Sequence, residues 1–274
     1  MINVNWLLEE DVFEENLDPL KDTIVSQGMT FTEAKYAPFE SGKYDYLFSP
    51  EDCVVFYGSL NLGRQLYRQT NFHVFCTLPN YECTKYYAYF GAYLLNEDYI
   101  MLPFSELYRR RERMFFMMGE DNCIFVRPSS GAKIFTGQLM HWEDFDKEYN
   151  LLSNYDVSPE ATVVVSRPFN IVKEWRLIIV DMKVVAGSLY NDRTTNTDYS
   201  GYPDIVGELA QKVLDIGYEP DRAWTMDVCQ TKDGLTRLLE IGGFSCAGLY
   251  EANKELIVRE VSRVARELTD DGNR

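Results

Sequence analysis

Two carboxylates on either side of one predicted β-hairpin are the residues of this sequence best placed to do chemistry. Asp227 and Glu240 flank an Asp-Gly turn at 233–234. Such a turn pairs Lys232 with Leu235, and counting outward from that pair sets Asp227 opposite Glu240 on one face of the sheet. Like charges directly across a strand pair repel each other, so two facing acids indicate a bound cation.

The residues beside these two acids distinguish a metal site from a solvated surface pair. All four neighbours are apolar: Met226, Val228, Leu239 and Ile241. An apolar setting predicts a hairpin that is at least half buried, where unpaired carboxylates are unfavourable. We therefore interpret the two acids as metal ligands rather than as exposed surface charges.

A basic residue before a turn of small residues is the second candidate feature. In the segment FVRPSSGAK, Arg127 ends an apolar strand, Ser129, Ser130 and Gly131 form the turn, and Lys133 follows. A guanidinium presents a planar set of donors that suits phosphate oxygens. The alternative interpretation is a solvated strand end, with Lys133 as an ordinary surface lysine.

A third feature is the basic residue of a second predicted hairpin, WRLIIVDMKVVAGSLY. A turn at Asp181 and Met182 sets Arg176 opposite Gly187, which leaves room for the arginine to reach into a cleft. Glu174 lies on the same face, two residues away. The alternative is a surface arginine on an ordinary strand.

The order of these features resembles the ATP-grasp superfamily over roughly residues 120 to 268, and is similar to a clade of ATP-grasp proteins from phages and bacteria. The resemblance implies the ATP-grasp fold, of class α/β (α+β), in which two α+β subdomains clamp ATP. It implies an N-terminal α/β lobe over 1–80 and an ATP-grasp domain over 81–274. The two subdomains would be 81–165, with the phosphate loop, and 166–274, with the metal-binding hairpin.

The resemblance also implies roles for individual residues in binding ATP. Contacts to the phosphates would come from Arg127, Ser129, Ser130, Gly131 and Lys133. Backbone groups of Val165 and Ser166, at the end of the apolar strand, would bind adenine. Arg176 is similar to the catalytic arginine that contacts the γ-phosphate or acyl phosphate.

Asp227 and Glu240 look like the two acids that bind Mg²⁺ in this superfamily. Magnesium prefers oxygen ligands and is commonly held by one or two carboxylates together with substrate phosphates. One residue departs from the pattern, because Gly242 stands where the superfamily has Asn. Water or Ser245 would complete a second metal site, or that site is absent.

The function implied by the resemblance is an ATP-dependent ligase that joins a carboxylate to an amine through an acyl phosphate. The substrates would be small molecules or peptides, with an amino acid or a peptide as acceptor. Arg167, Lys173 and Arg193 are candidate contacts for that acceptor, or solvated surface charges. Two alternatives are a kinase or nucleic-acid-modifying enzyme on the same scaffold, and an ATP-binding module without turnover.

The overall charge and the N-terminus bear on partners and location. The formal net charge of −16 disfavours binding to nucleic acid phosphates. The first residues, MINVNWLLEEDVFEENL, are acidic where a signal peptide would be basic, and the apolar stretches are too short to span a bilayer. The sequence predicts a cytoplasmic protein without membrane contact, in the host cytoplasm if the protein is encoded by a phage.

Overall fold

Short apolar runs at the start of the chain form a parallel sheet, with helices connecting its strands. The computed structural model describes residues 3–38, 44, 47–67, 71–153, 157–195 and 197–272. The first elements are β1 (Val4–Glu9), α1 (Glu14–Ser26), β2 (Thr30–Ala34), β3 (Cys53–Tyr57), α2 (Leu60–Leu66) and β4 (Phe72–His73). The strand order is β2-β1-β3-β4, and every residue of β3 is buried, as expected for a parallel strand covered on both faces.

A second, antiparallel sheet carries the predicted phosphate loop and the predicted adenine-binding strand. Its elements are α3 (Cys83–Phe90), β5 (Tyr99–Pro103), α4 (Phe104–Arg109), α5 (Arg111–Met118), β6 (Cys123–Pro128), β7 (Gln138–His141), α6 (Phe145–Ser153) and β8 (Thr162–Ser166). The strand order β5-β8-β6-β7 puts β8 in the interior of the sheet. Three consecutive valines, Val163 to Val165, are fully buried there.

The third sheet holds both predicted hairpins. Its elements are β9 (Ile171–Val180), β10 (Lys183–Asp192), β11 (Tyr199–Ser200), α7 (Asp204–Leu214), β12 (Ala223–Thr231), β13 (Thr236–Gly243) and α8 (Lys254–Gly272). The strand order β11-β10-β9-β12-β13 places β9, with Arg176, beside β12, with Asp227. Three sheets with interspersed helices confirm the predicted α+β fold class.

The carboxylate hairpin has the predicted pairing of Asp227 with Glu240, although the length of its turn and the register beside the turn differ from the prediction. The turn is one residue longer than a two-residue Asp-Gly turn, because Thr231 and Leu235 close it around 232–234, with Gly234 at φ 89°. Three-residue hairpin loops commonly end in such a left-handed residue. A β-bulge at Leu239 then shifts the register back by one residue, so that the two acids face each other after all.

In the second hairpin the predicted turn is confirmed and the predicted partner of Arg176 is wrong. Asp181 and Met182 both have positive φ, 47° and 57°, as a tight two-residue turn requires. A bulge between Val184 and Ala186 moves the register by one residue, so Arg176 pairs with Ser188 instead of Gly187. The space beside Gly187 is filled by the ring of Tyr202.

The C-terminal helix joins the first sheet to the third. Its apolar stripe includes Ile257, Val261 and Val264, which are fully buried in one core with Trp6 of β1 and Ile178 of β9. The N-terminal sheet thus shares its core with the end of the chain, and the division at residues 80 and 165 stays a prediction. Within the described residues, no helix combines the length and apolar character needed to cross a bilayer.

Candidate active site

A cavity of about 260 Å³ brings together residues from β6, the turn after it, β9 and β13. Six of the residues predicted from the sequence line it: Arg127, Ser130, Gly131, Lys133, Arg176 and Glu240. The remaining wall includes Gly242 and Gly243 at the end of β13 and Gly248 in the segment after it. Gly243 allows a close approach, because a Cβ atom there would lie 2.5 Å from Cys76 Sγ.

Glu240 is held by two of the predicted phosphate contacts. Arg127 Nη2 donates to Oε2 at 2.7 Å, and Lys133 Nζ donates to Oε1 at 2.8 Å. Burial by itself raises the pKa of a carboxyl group, but the charges of Arg127 and Lys133 outweigh it and lower the pKa of Glu240 to about 2. Glu240 is therefore a carboxylate at neutral pH, and it lies on the cavity wall.

Asp227 lies beneath Arg176 and is not itself part of the cavity wall. Arg176 Nε donates to Oδ1 at 2.9 Å and Nη2 donates to Oδ2 at 2.7 Å, and Nη1 donates to the carbonyl oxygen of Gly248 at 3.2 Å. Burial by itself lowers the pKa of Arg176, but the charge of Asp227, its hydrogen bonds and the two nearby tyrosines, Tyr190 and Tyr250, together raise it. This two-pronged geometry fixes the plane of the guanidinium at the cavity.

Two tyrosines that were not predicted from the sequence contact Arg176. The rings of Tyr190 and Tyr250 stack at 4.7 Å between centroids, and Arg176 Cζ lies 5.3 Å from each centroid. Both contacts are within the range of cation–π attraction. Tyr190 Oη also donates to Glu174 at 2.8 Å. Strand spacing could have indicated Tyr190, which lies on β10 beside the arginine strand, whereas no local pattern marks Tyr250.

Thr225 supplies an oxygen where Gly242 has none. The two residues face each other across β12 and β13, and Thr225 Oγ1 donates to the Gly242 carbonyl oxygen at 3.1 Å. A Cβ atom on Gly242 would lie 3.0 Å from Thr225 Oγ1, so the threonine hydroxyl occupies the space of the missing side chain. The hydroxyl of Ser245 points elsewhere, because it accepts a hydrogen bond from the Phe75 backbone at 2.9 Å.

Three other predicted residues lie outside the cavity wall. Ser129 is buried, and its Oγ accepts from the Thr84 backbone N–H at 3.2 Å, so it holds the start of α3. Val165 and Ser166 lie inside β8, paired with β5 on one side and β6 on the other. Their peptide groups belong to these ladders, and the chain leaves the sheet only after Ser166.

The donor set fits a magnesium ion shared with a nucleotide better than a metal held by protein alone. Across the described ranges of the chain, no group of three or more His, Cys, Asp or Glu side chains is arranged to hold a metal ion. Asp227 and Glu240 offer carboxylate oxygens, and Thr225 offers a hydroxyl. Magnesium bound through one or two carboxylates usually takes its remaining ligands from phosphates and water.

Comparisons with known proteins agree with this architecture. Residues 99–261 match the ATP-grasp domain of the R-2-K clade, family 3. Similar solved structures include D-cycloserine synthetase DcsG, with a TM-score of 0.67, 12% identity, and coverage of 96% of this chain and 100% of that chain. The ATP-grasp ligase PsnB with a minimal precursor has a TM-score of 0.60 and 12% identity, and the match covers 97% of this chain and 99% of that chain.

D-alanine–D-alanine ligase from Bacillus anthracis is similar to the same degree, with a TM-score of 0.59, 12% identity, and coverage of 97% of this chain and 99% of that chain. These TM-scores support a shared fold. A comparison with curated protein sequences gives no match. Because the family match spans more than half of the chain, this protein belongs to the ATP-grasp superfamily, in family 3 of the R-2-K clade.

Proposed function

We propose that this protein is an ATP- and Mg²⁺-dependent ligase that joins a carboxylate to an amine through an acyl phosphate, with an amino acid or a peptide as acceptor. The observation that carries the proposal is the contact of Glu240 with both Arg127 and Lys133 in one cavity. Glu240, a candidate metal ligand, is thus paired with two candidate phosphate contacts. A metal–nucleotide complex in this cavity would bring a cation for Glu240 and negative phosphates for Arg127 and Lys133.

In this arrangement each charged residue can exchange its present partner for a new one without being left unpaired. With ATP and Mg²⁺ bound, Arg127 and Lys133 would donate to the phosphates, and Glu240 would bind the ion. Each buried charge keeps a partner throughout, which avoids the several kcal/mol that an unpaired buried ion costs. When bound, Mg²⁺ supplies charge neutralisation at the phosphates.

Arg176 is the proposed catalytic residue. Its guanidinium lines the cavity, and Asp227 with the two tyrosines fixes its orientation. Developing charge on a transferred phosphoryl group is stabilised best by donors that are already in position. For Asp227 to bind the ion, Arg176 would have to move at least one of its N–H donors from the Asp227 carboxylate to the phosphate.

The reaction requires little covalent chemistry from the protein. The substrate carboxylate attacks the γ-phosphorus and ADP leaves, and the amine then attacks the acyl carbon and inorganic phosphate leaves. Arg127, Lys133 and Arg176 hold the phosphates in line for the first step. We place adenine at the end of β8, where the peptide groups that follow Val165 and Ser166 leave the sheet.

The acceptor class rests on the similar structures. They include D-cycloserine synthetase, D-alanine–D-alanine ligase, and PsnB complexed with a minimal precursor. The macrocyclase MdnC from Microcystis aeruginosa, described as bound with precursor peptide MdnA, has a TM-score of 0.57, 12% identity, and coverage of 96% of this chain and 99% of that chain. Amino acid and peptide substrates recur among them, and we propose the same class here.

Trapping with hydroxylamine tests the proposal. The protein is incubated with Mg²⁺, ATP and pools of amino acids, short peptides and simple carboxylic acids, with and without hydroxylamine. We expect ADP release that depends on a carboxylate, and a hydroxamate in the presence of hydroxylamine, because an acyl phosphate reacts with that nucleophile. Tight ATP binding with no ADP release from any pool would support a module without turnover instead.

A further inference from the structure

A second, larger cavity adjoins the phosphate cavity. It has a volume of about 450 Å³, and it shares Leu60, Cys76 and Cys246 with the smaller cavity. None of the predicted phosphate or metal contacts lines it. The two cavities therefore meet at these three residues, and Arg176 and Lys133 line the smaller one.

The wall of the second cavity is largely apolar. Its other residues come from α2 and from the segment after β4: Gly63, Arg64, Tyr67, Val74, Thr77, Leu78 and Pro79. Pockets of about 300–1,000 Å³ that are apolar with few polar groups are typical of small-molecule sites. Leu78 is only partly buried, so it contributes to the cavity wall more than to the core.

One cation stands at this apolar cavity. Arg64 is exposed on α2, and among the described residues no hydrogen bond or ion pair engages its guanidinium. A free guanidinium attracts an acid and repels an ammonium group.

We propose that this second cavity binds a bulky apolar side chain of the carboxylate substrate, so that the acid which is phosphorylated is a hydrophobic amino acid derivative or peptide residue. The inference rests on the proposed function, because it assumes that phosphoryl transfer occurs in the adjoining cavity. The apolar wall selects the side chain, and the shared residues connect it to the phosphate site, where the carboxylate lies. The positive charge of Arg64 attracts the anionic substrate as a whole.

Binding of three matched acids tests the proposal. N-acetyl-L-phenylalanine, N-acetyl-L-leucine and N-acetylglycine are titrated by calorimetry into the protein loaded with Mg²⁺ and a non-hydrolysable ATP analogue. Burying a large apolar side chain should make the phenylalanine derivative bind about tenfold to hundredfold more tightly than the glycine derivative. Equal affinities, or no binding of any of the three acids, would overturn the inference.

Two pairs of variants locate the effect. Leu78→Trp fills the cavity and should remove the preference for the phenylalanine derivative, whereas Leu139→Trp, at an exposed leucine on β7, should keep it. Arg64→Gln should weaken binding of all three acids several-fold, and Arg113→Gln, at an exposed arginine on α5, should not. Leu78→Ala is a second cavity variant and should favour N-acetyl-L-tryptophan.

Binding of the nucleotide analogue is measured for every variant. If Leu78→Trp binds the analogue normally and still prefers the phenylalanine derivative, the cavity assignment is wrong and the proposed function stands. If the wild-type protein fails to bind the analogue with Mg²⁺, the proposed function itself fails.

Discussion

Arg176 and Asp227 are paired directly across β9 and β12, and two hydrogen bonds of 2.9 and 2.7 Å join the guanidinium to the carboxylate. Both side chains are nearly buried, with 11% and 3% of their surface exposed. Removing one partner leaves the other charge buried and unpaired. This pair is therefore a structural contact as well as part of the candidate site.

Replacing one member of the pair should destabilise the fold. We expect Arg176→Met or Asp227→Leu to lower the free energy of unfolding by about 3–5 kcal/mol, because each leaves an unpaired buried ion. The double variant should recover much of that loss, since both charges are then absent. Urea unfolding gives the three values, and additive losses in the double variant would show that the pair is not coupled.

Magnesium binding should depend on the nucleotide. Without ATP, Asp227 is neutralised by Arg176, and Glu240 is neutralised by Arg127 and Lys133. We therefore expect calorimetry to detect little binding of Mg²⁺ alone, weak binding of ATP in EDTA, and clear binding when both are present. Equally tight binding of Mg²⁺ with and without ATP would contradict the charge exchange.

Thr225 should contribute to metal affinity in place of the side chain missing at Gly242. Thr225→Val keeps the shape and removes the hydroxyl, so Mn²⁺ affinity in the presence of ADP, measured by electron paramagnetic resonance, should fall about tenfold. Thr236→Val is the matched control on the same hairpin, because its buried hydroxyl has no hydrogen-bond partner among the described residues. The same loss in both variants would argue for a general effect on the hairpin.

Gly242→Asn tests the same contact from the other strand. The new side chain crowds Thr225 Oγ1, because its Cβ atom would lie 3.0 Å away and the threonine side chain has to shift to make room. We expect lower stability for Gly242→Asn alone, and recovery of stability and Mn²⁺ affinity when Thr225→Ala is added. Tolerance of Gly242→Asn in the wild-type background would show that the hydroxyl does not occupy this space.

His73 should make the fold sensitive to acid. Burial lowers the pKa of His73 to about 4, and its Nε2 lies 2.8 Å from Thr269 Oγ1 on α8. Below pH 6.5 the unfolded chain protonates this residue while the folded chain does not, so stability falls as the pH drops from 6.5 to about 4, by up to about 3 kcal/mol. Urea unfolding at both pH values measures the loss.

Replacement of each of the two histidines separates this effect from other titrations. His73→Gln should reduce the difference in unfolding free energy between pH 6.5 and pH 4. His141→Gln should retain it, because the exposed His141 lies on β7, away from α8, and His73 is intact. A difference that persists in His73→Gln would assign the acid sensitivity to other groups.

The two hairpins show how much the sequence could predict. Their existence and the burial of their strands follow from apolar runs and turn residues, but register depends on bulges that such patterns do not reveal. For Asp227 and Glu240 two departures cancel, a longer turn and a bulge at Leu239, so the predicted pairing is confirmed. For Arg176 the turn is as predicted and one uncompensated bulge changes the partner.

The contacts within the site were harder to predict, because they join residues that are distant in sequence. Glu240 lies on β13, whereas its partners Arg127 and Lys133 lie on and after β6, in a different sheet. Tyr250, which contacts Arg176 on β9, lies in the segment between β13 and α8. Thr225 stands out only once the strand register places it opposite Gly242. The second cavity arises from α2 and the segment after β4, neither of which carries a recognisable motif for it.

The most direct measurement is the affinity for ATP in the presence of Mg²⁺ for Asp227→Asn, Glu240→Gln and the control Asp233→Asn, at an exposed acid in the turn of the same hairpin. The amide substitutions keep the shape and remove one charge each. We predict that the first two variants lose at least tenfold in Mg²⁺-dependent ATP affinity and most ADP release, while Asp233→Asn matches the wild type. Unchanged binding and turnover in both Asp227→Asn and Glu240→Gln would contradict the assignment of these acids to the metal.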